Sequence, residues 1–349
     1  MSIWGSFSRS RESKKEYEKS GLPGGVKLAL LAVLTLFCAL SGLCLGSTVI
    51  DLPAALSGVL SGDLASAQSR ILLYVRLPRV IASLLSGAAL SVSGMLLQAV
   101  LSNPLAAPNV IGVNAGAGFF TFLSMALLPG VRGAGQLGAF FGALVAVVLV
   151  LAVSAGAGRL TIILSGVAVS SIFTAGINTV KTFCPDTLYN GSAFLIGGFS
   201  GVSLRDLSPA WAVILLALGL SLGLSPQADL LGLGETPARS LGMNVSLTRL
   251  ALILLSCVLA GCAVSFSGLL GFVGLLAPHI VRRLFKESKT SHRLLIPAAA
   301  LLGAGFVTLC DLLSRLLFAP YELPVGILLS FVGGPFFLYL LIRERRRVL

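Results

Sequence analysis

Apolar positions along this chain fall in unbroken runs of about 20 residues, the length a helix needs to cross the hydrocarbon core of a bilayer, and not in the alternation of a barrel strand. They predict spans at roughly 26–46, 77–101, 109–128, 136–156, 160–180, 209–225, 248–266, 268–281, 294–318 and 322–342. The expected fold class is therefore all-α, a polytopic membrane protein of about ten transmembrane helices. The second run is the most informative. From Leu77 to Leu101 it carries no acidic residue, and Arg76 and Arg79 mark its start. Asn103-Pro104-Leu105 stops it, because proline cannot donate to the helical ladder and pushes its predecessor out of the α region. The next run holds Gly112-x-x-x-Gly116, a spacing that lets two helix backbones approach closely in lipid. The eighth, GLLGFVGLLAPHIV, is short for a full crossing, and its three glycines place it inside the bundle.

Composition agrees. The 349 residues are 56% hydrophobic and 11% charged, which excludes a water-soluble globule. The formal charge of +12 would suggest nucleic acid in a soluble protein, but here the basic residues sit in short loops and tails, the pattern that sets membrane topology. Ten spans put both termini on one side, and both ends are basic, so both face the cytoplasm. With that orientation 18 of the 25 Lys and Arg residues lie inside and 7 outside. The expected organisation is a mobile basic tail over 1–26, a ten-helix domain over 27–342 and a second basic tail over 343–349. The Ser-, Lys- and Glu-rich first twenty residues do not read as a cleavable signal peptide. The outer segments 47–75, 129–135, 181–208 and 319–321 are too short for an independent domain.

Candidate chemistry is sparse, and its sparseness narrows the function. Cys38, Cys44, Cys184, Cys257, Cys262 and Cys310 form no CxxC pair, and all but Cys184 lie in or beside apolar runs, so they read as small hydrophobes. His279 and His292, the two histidines, have no second ligand at usable spacing, so no metal site is expected. The chain contains no Gly-Lys dipeptide and hence no P-loop, so any ATP is hydrolysed elsewhere. Inside the spans, apart from Glu322 at the first position of the last one, the only acidic residue is Asp311, near an outer end. An ion-coupled secondary transporter, the alternative reading, usually keeps carboxylates at mid-membrane depth, and their absence counts against it. A membrane-embedded enzyme lacks a catalytic constellation.

Three places stand out. Arg76, Arg79 and Arg315 lie at the outer ends of the second and ninth spans, on the side that topology disfavours. They are either snorkelling side chains, with Asp311 and Arg315 pairing within one helical turn, or a docking surface for an acidic protein partner. Asn103, Pro104 and Leu105, at the inner mouth, are a simple helix stop or a hinged cytoplasmic constriction. The inner loop 226–247, PQADLLGLGETPARSLGMNVSL, predicts short helices at the cytoplasmic face, with Thr236-Pro237 as N-cap and first-turn pair and Gly242 as the stop. Leu230, Leu231, Leu233 and Leu241 interleaved with Glu235 and Arg239 favour a docking piece for a soluble subunit over a plain connector.

These stretches resemble a known family. RLPRVIASLLSGAALSVSGMLLQAVLSNPLAAPNVIGVNAGAG, LGLGETPARSLGMNV, GFVGLLAPHIVRRLF and DLLSRLLFAPYELPVGILLSFVGGPFFLYLLI are similar, in order and spacing over about 27–342, to the FecCD permease subunits of iron-siderophore, haem and cobalamin ABC importers. The resemblance implies a homodimer in the bacterial cytoplasmic membrane, two cytoplasmic ATPase subunits, an extracytoplasmic substrate-binding protein and no cofactor. It implies an iron-siderophore as first choice of cargo, with haem or cobalamin as the others. Carried over residue by residue, Arg76, Arg79 and Arg315 match the arginines that meet glutamates of the binding protein, Asn103, Pro104 and Leu105 the cytoplasmic gate, and Gly234, Glu235, Ala238, Arg239, Leu241 and Gly242 the segment that couples to the ATPase. Two departures stand: SAFLIGGFSG replaces a frequent tryptophan after the fifth span, so the Phe194 to Phe199 region is expected to line the path differently, and the basic start is longer than usual.

Overall fold

The computed structural model describes residues 22–62, 66–154, 159–285 and 290–348. They fold as helices α1 (Gly24–Cys44), α2 (Leu52–Ser61), α3 (Ala67–Leu101), α4 (Val113–Leu127), α5 (Ala134–Val153), α6 (Arg159–Phe183) and α7 (Thr187–Ile196). The second half supplies α8 (Ala210–Gly223), α9 (Ser225–Gly232), α10 (Glu235–Ser240), α11 (Val245–Ser267), α12 (Val273–Phe285), α13 (His292–Leu316) and α14 (Val325–Val348). Each of the ten apolar runs falls on a helix. Among the described residues eight stretches are long and apolar enough to cross a membrane, the one containing α8 running Leu204–Gly223, whereas α4 and α12 have 15 and 13 residues. All-α and polytopic is therefore the fold, with ten as an approximate number of crossings.

The helix α3 is the axle. Its apolar stretch is more deeply buried than that of any other spanning helix, and α11, α12 and α13 pack around it. Burial on every side requires close backbone approach, and glycine supplies it. A Cβ on Gly94 would stand 1.7 Å from the Gly274 carbonyl oxygen of α12, and one on Gly87 would stand 2.2 Å from that of Gly303 in α13. The helices α1, α6, α8 and α14 keep most of their apolar surface outward, as lipid-facing helices do.

Two expectations are corrected. Of the Gly112-x-x-x-Gly116 pair only Gly116 makes the close backbone approach, against Gly142 of α5, where a Cβ would lie 2.3 Å from the Gly142 carbonyl oxygen, while Gly112 stands at ordinary van der Waals distance from Val169 and Ser170 of α6. Gly112 instead takes φ +84° and ends a 3-10 turn at Pro108–Ile111, so α4 begins at Val113 rather than 109. The eighth span starts later than expected. Residues 268–272 are not helical, Gly268 and Phe272 take positive φ, and the helix proper begins at Val273. The unwound stretch survives because it is enclosed by protein, with the Leu269 amide donating to the Phe194 carbonyl at 2.9 Å. Residues 1–21 of the basic start lie outside the described residues, and α14 continues through the basic residues 343–347 as helix.

Candidate functional site

Arg76, Arg79 and Arg315 converge at one end of the bundle, hereafter the arginine end. Helix α3 reaches that end through a wide turn: Leu72–Arg76 is π-helical, and the Leu77 amide bonds back to the Leu72 carbonyl. The cause is Pro78, which has no amide to donate and whose ring would press on the preceding turn; one widened turn removes the conflict. The three arginine residues are 2%, 5% and 3% exposed. Arg79 Nε donates to both oxygens of Asp311, at 3.0 and 3.1 Å, and its NH1 donates to Glu322 Oε2 at 2.6 Å. Arg315 Nε lies 3.3 Å from Asp311 Oδ2, one helical turn away. Arg76 is different. It donates to the carbonyls of Leu43 and Cys44 at 2.8 and 2.6 Å, and to that of Thr48, and among the described residues no carboxylate pairs with it. Gly46 makes room: a Cβ there would sit 3.1 Å from Arg76 NH2.

The cluster therefore holds three cations against two carboxylates, with the excess charge at Arg76. Of the two sequence readings, the helical-turn pair of Asp311 and Arg315 is present, and the arginines are engaged within the subunit rather than projecting from it. The wide turn was the feature sequence reasoning missed, although a proline two residues past Arg76 in a long apolar run was its signal. Glu322, in the exposed turn between α13 and α14, was missed as well. Burial alone works to raise its pKa, but the hydrogen bond from Arg79 prevails and holds the carboxyl below the usual range, helped by Ser47 Oγ donating at 3.2 Å.

At the opposite end the loop 226–247 forms α9 and α10. Helix α10 starts from Gly234, at φ +104°, two residues before the expected Thr236 cap. It closes as a Schellman motif, the Gly242 amide bonding to Arg239 and the Met243 amide to Ala238 at 2.9 and 3.1 Å, with Gly242 left-handed at φ +82°. Ala238 is fully buried against the bundle, and Glu235 pairs with Arg249 at the start of α11. What points outward is Leu233, Arg239 and Leu241, the two leucines 61% and 64% exposed. Leu231 is buried instead. Asp229 of α9, which sequence reasoning passed over, ties the loop to α13: it accepts from the His292 amide and Nδ1 at 2.8 and 2.6 Å and from Ser291 Oγ. Burial works to raise its pKa, but the Ser291 and His292 donors hold it below the usual range.

Asn103, Pro104 and Leu105 follow α3 at this same end. Ser102 is left-handed at φ +46°, and Asn103 Oδ1 accepts from the Leu105 amide at 2.9 Å, so the amide side chain builds the turn. Leu105 packs with Leu275, Phe336 and Leu340, putting the candidate gate in contact with α12 and α14. Further along α14, a cavity of about 550 Å³ is lined by Asn114, Leu195, Leu269, Gly271, Ser330 and Phe331 among others, so the unwound 268–272 segment forms part of its wall. Its lining is apolar apart from one amide and one hydroxyl. Phe199 is buried and Phe194 faces a different cavity, leaving Leu195 and Ile196 as the residues of that stretch on this wall. No group of three metal-ligating side chains occurs among the described residues.

Known proteins resemble this chain over most of its length. A model of the FecCD transport family covers residues 33–343. The chain is 38% identical over 79% of its length to the Fe(3+)-citrate import system permease protein YfmD of Bacillus subtilis, covering 82% of that protein. It is 37% identical over 80% to the hemin transport system permease protein HmuU of Yersinia pestis, covering 86% of it. It is 36% identical over 88% to the vitamin B12 import system permease protein BtuC of Citrobacter koseri, covering 94% of it. A solved metal-chelate type ABC transporter in an inward-facing conformation superposes with a TM-score of 0.79 at 29% identity, over 90% of this chain and 98% of that one.

Proposed function

The chain belongs to the FecCD transport family, and from that premise we propose that it is the permease subunit of an ABC importer in the bacterial cytoplasmic membrane, carrying a metal chelate, an iron-siderophore first and haem or cobalamin next. It works as a homodimer with two ATPase subunits at the cytoplasmic face and a binding protein at the outer face. The arginine end is outside and α10 is inside, with both termini cytoplasmic. The observation that carries the reading is α10: a short helix, fixed at both ends and from below, offers Leu233, Arg239 and Leu241 to a protein the chain does not contain. Exposed leucines beside a cation, on a rigid support at a membrane face, suit a groove on a soluble subunit.

The geometry also supports a specific division of labour. Arg76 carries the unmatched charge and attracts the acidic partner over long range, whereas Arg79 and Arg315 hold the outer ends of α3 and α13 together. Movement imposed at α10 passes through Asp229 to the start of α13, whose far end carries Asp311 and Arg315. Leu105 and the facing α14 residues form the inner constriction, and the weakly polar cavity lets a chelate pass without being held. Coordination by protein ligands would trap the cargo.

The test is a pair of charge insertions, Leu233→Glu and Leu241→Glu, assayed by co-purification of the ATPase subunit and by chelate uptake in proteoliposomes. Both are expected to fall at least tenfold while the permease still folds and dimerises. Normal ATPase recovery with both variants would overturn the assignment of α10.

A further inference from the structure

Beyond the import machinery, the arginine end carries a second cavity, of about 870 Å³, between α5 and α8. Both helices pack on α11 and leave a cleft between them, floored by Cys262 and Ser265. The mouth is polar and cationic: Arg132 and Arg205 are exposed there, beside Gln136. Neither arginine has an ion pair among the described residues. The neighbouring carboxylate, Asp206, accepts from the Ser203 amide and hydroxyl at 2.8 and 2.7 Å and from the Gln136 side chain, and it offsets part of the Arg132 charge, so the mouth keeps one net positive charge. The start of α5, 20 residues long and without an acidic residue in its first turn, lines the same mouth through Gly133 and Gln136, so the positive end of its dipole lies beside the two arginines.

Below the mouth the walls turn apolar, with Leu137, Phe140 and Phe141 on α5 and Ala210 and Val213 on α8. The cleft does not end there. Leu137, Phe141, Val145 and Val148 recur at helical spacing down α5, and Leu216 and Leu220 continue the line of Val213 down α8, all exposed on the outside of the bundle. An anionic head beside two arginines, with a hydrocarbon tail laid along such a track, describes a phospholipid. We propose that this cleft binds one anionic phospholipid, its phosphate between Arg132, Arg205 and the start of α5 and one acyl chain between α5 and α8. A second copy of the chain is the poorer occupant, since a two-fold contact through this face would set like charges against each other. The site stands whichever way the transporter runs.

The experiment uses the full chain in the Trp4→Phe background, which leaves Trp211, beside Ala210, as the one tryptophan. It is reconstituted in phosphatidylcholine vesicles containing either dibrominated phosphatidylglycerol or, at the same mole fraction, dibrominated phosphatidylcholine, and Trp211 quenching is compared. The anionic lipid should quench well above its bulk share, since each arginine near an anionic head is worth roughly a five-fold preference. Arg132→Gln with Arg205→Gln should return quenching to the bulk share, and Ala210→Phe, which fills the slot but keeps both arginines, should do the same. Equal quenching by the two lipids would overturn the proposal. So would an excess that survives the double arginine variant or the filled slot, which would be general surface attraction. Loss of the excess on adding inorganic phosphate or citrate would mark a soluble-anion site and overturn it too.

Discussion

Two guanidiniums share one fully buried carboxylate at Asp311, which makes that residue the least replaceable in the arginine cluster. Removing one member of a buried pair leaves the others as uncompensated charge, and the loss typically exceeds what the pair gained on forming. Asp311→Asn is expected to cost roughly 3 kcal/mol or more, read by thermal unfolding in detergent. Glu322 is at the solvent edge, so its loss should cost much less. It titrates, however. Its pKa is depressed in the folded state, so its contribution is full above the ordinary carboxylate range and disappears as pH falls through the depressed value. The groups facing it are Arg79, Arg315, Ser47 and the Asp311 carboxylate; the arginines stay charged throughout and outweigh the one like charge. Glu322→Gln should therefore flatten the acid limb of the stability curve; an unchanged limb would show that the Arg79 contact does not form in solution.

At the level of elements, the sequence announces helices more readily than the way they meet. The runs of apolar residues located ten helices, although α4 and α12 start later than the runs do, and Pro104 and Gly242 ended theirs where local backbone chemistry says they must. What escaped depends on partners far along the chain. Gly94 looks like an ordinary glycine in an apolar run until α12 is set against it, so close that a Cβ would stand only 1.7 Å from the Gly274 carbonyl oxygen. The unwound 268–272 stretch is as apolar as a helix, and only enclosure by α7 and α14 gives its backbone somewhere to bond. The arginines were legible as a group, but their burial was not, because it depends on Asp311, Glu322 and the carbonyls after α1 arriving together. Gly94→Ala tests the packing argument directly: α3 and α12 must separate, and folded yield should drop several-fold. Gly219→Ala, where a Cβ meets nothing within 4 Å, is the control expected to behave as the parent.

For the whole molecule, the decisive geometry is that the two polar assemblies are tied to opposite ends of one helix. Helix α13 begins where Asp229 grips Ser291 and His292, and it finishes with Asp311 and Arg315 in the arginine cluster; its 25 residues span about 37 Å at the usual rise. That length exceeds the hydrocarbon core, so the loop 226–247 and the arginines cannot share a membrane face. Labelling decides it. Tyr321 is 81% exposed in the turn after α13, and Thr236 is exposed on α10. In sealed right-side-out vesicles of a chain freed of its own cysteines, a membrane-impermeant maleimide should modify Tyr321→Cys at once and Thr236→Cys only after permeabilisation. The reverse order would place α10 outside and invert the proposed direction of transport; labelling of both from one side would break the proposed ten-crossing topology itself.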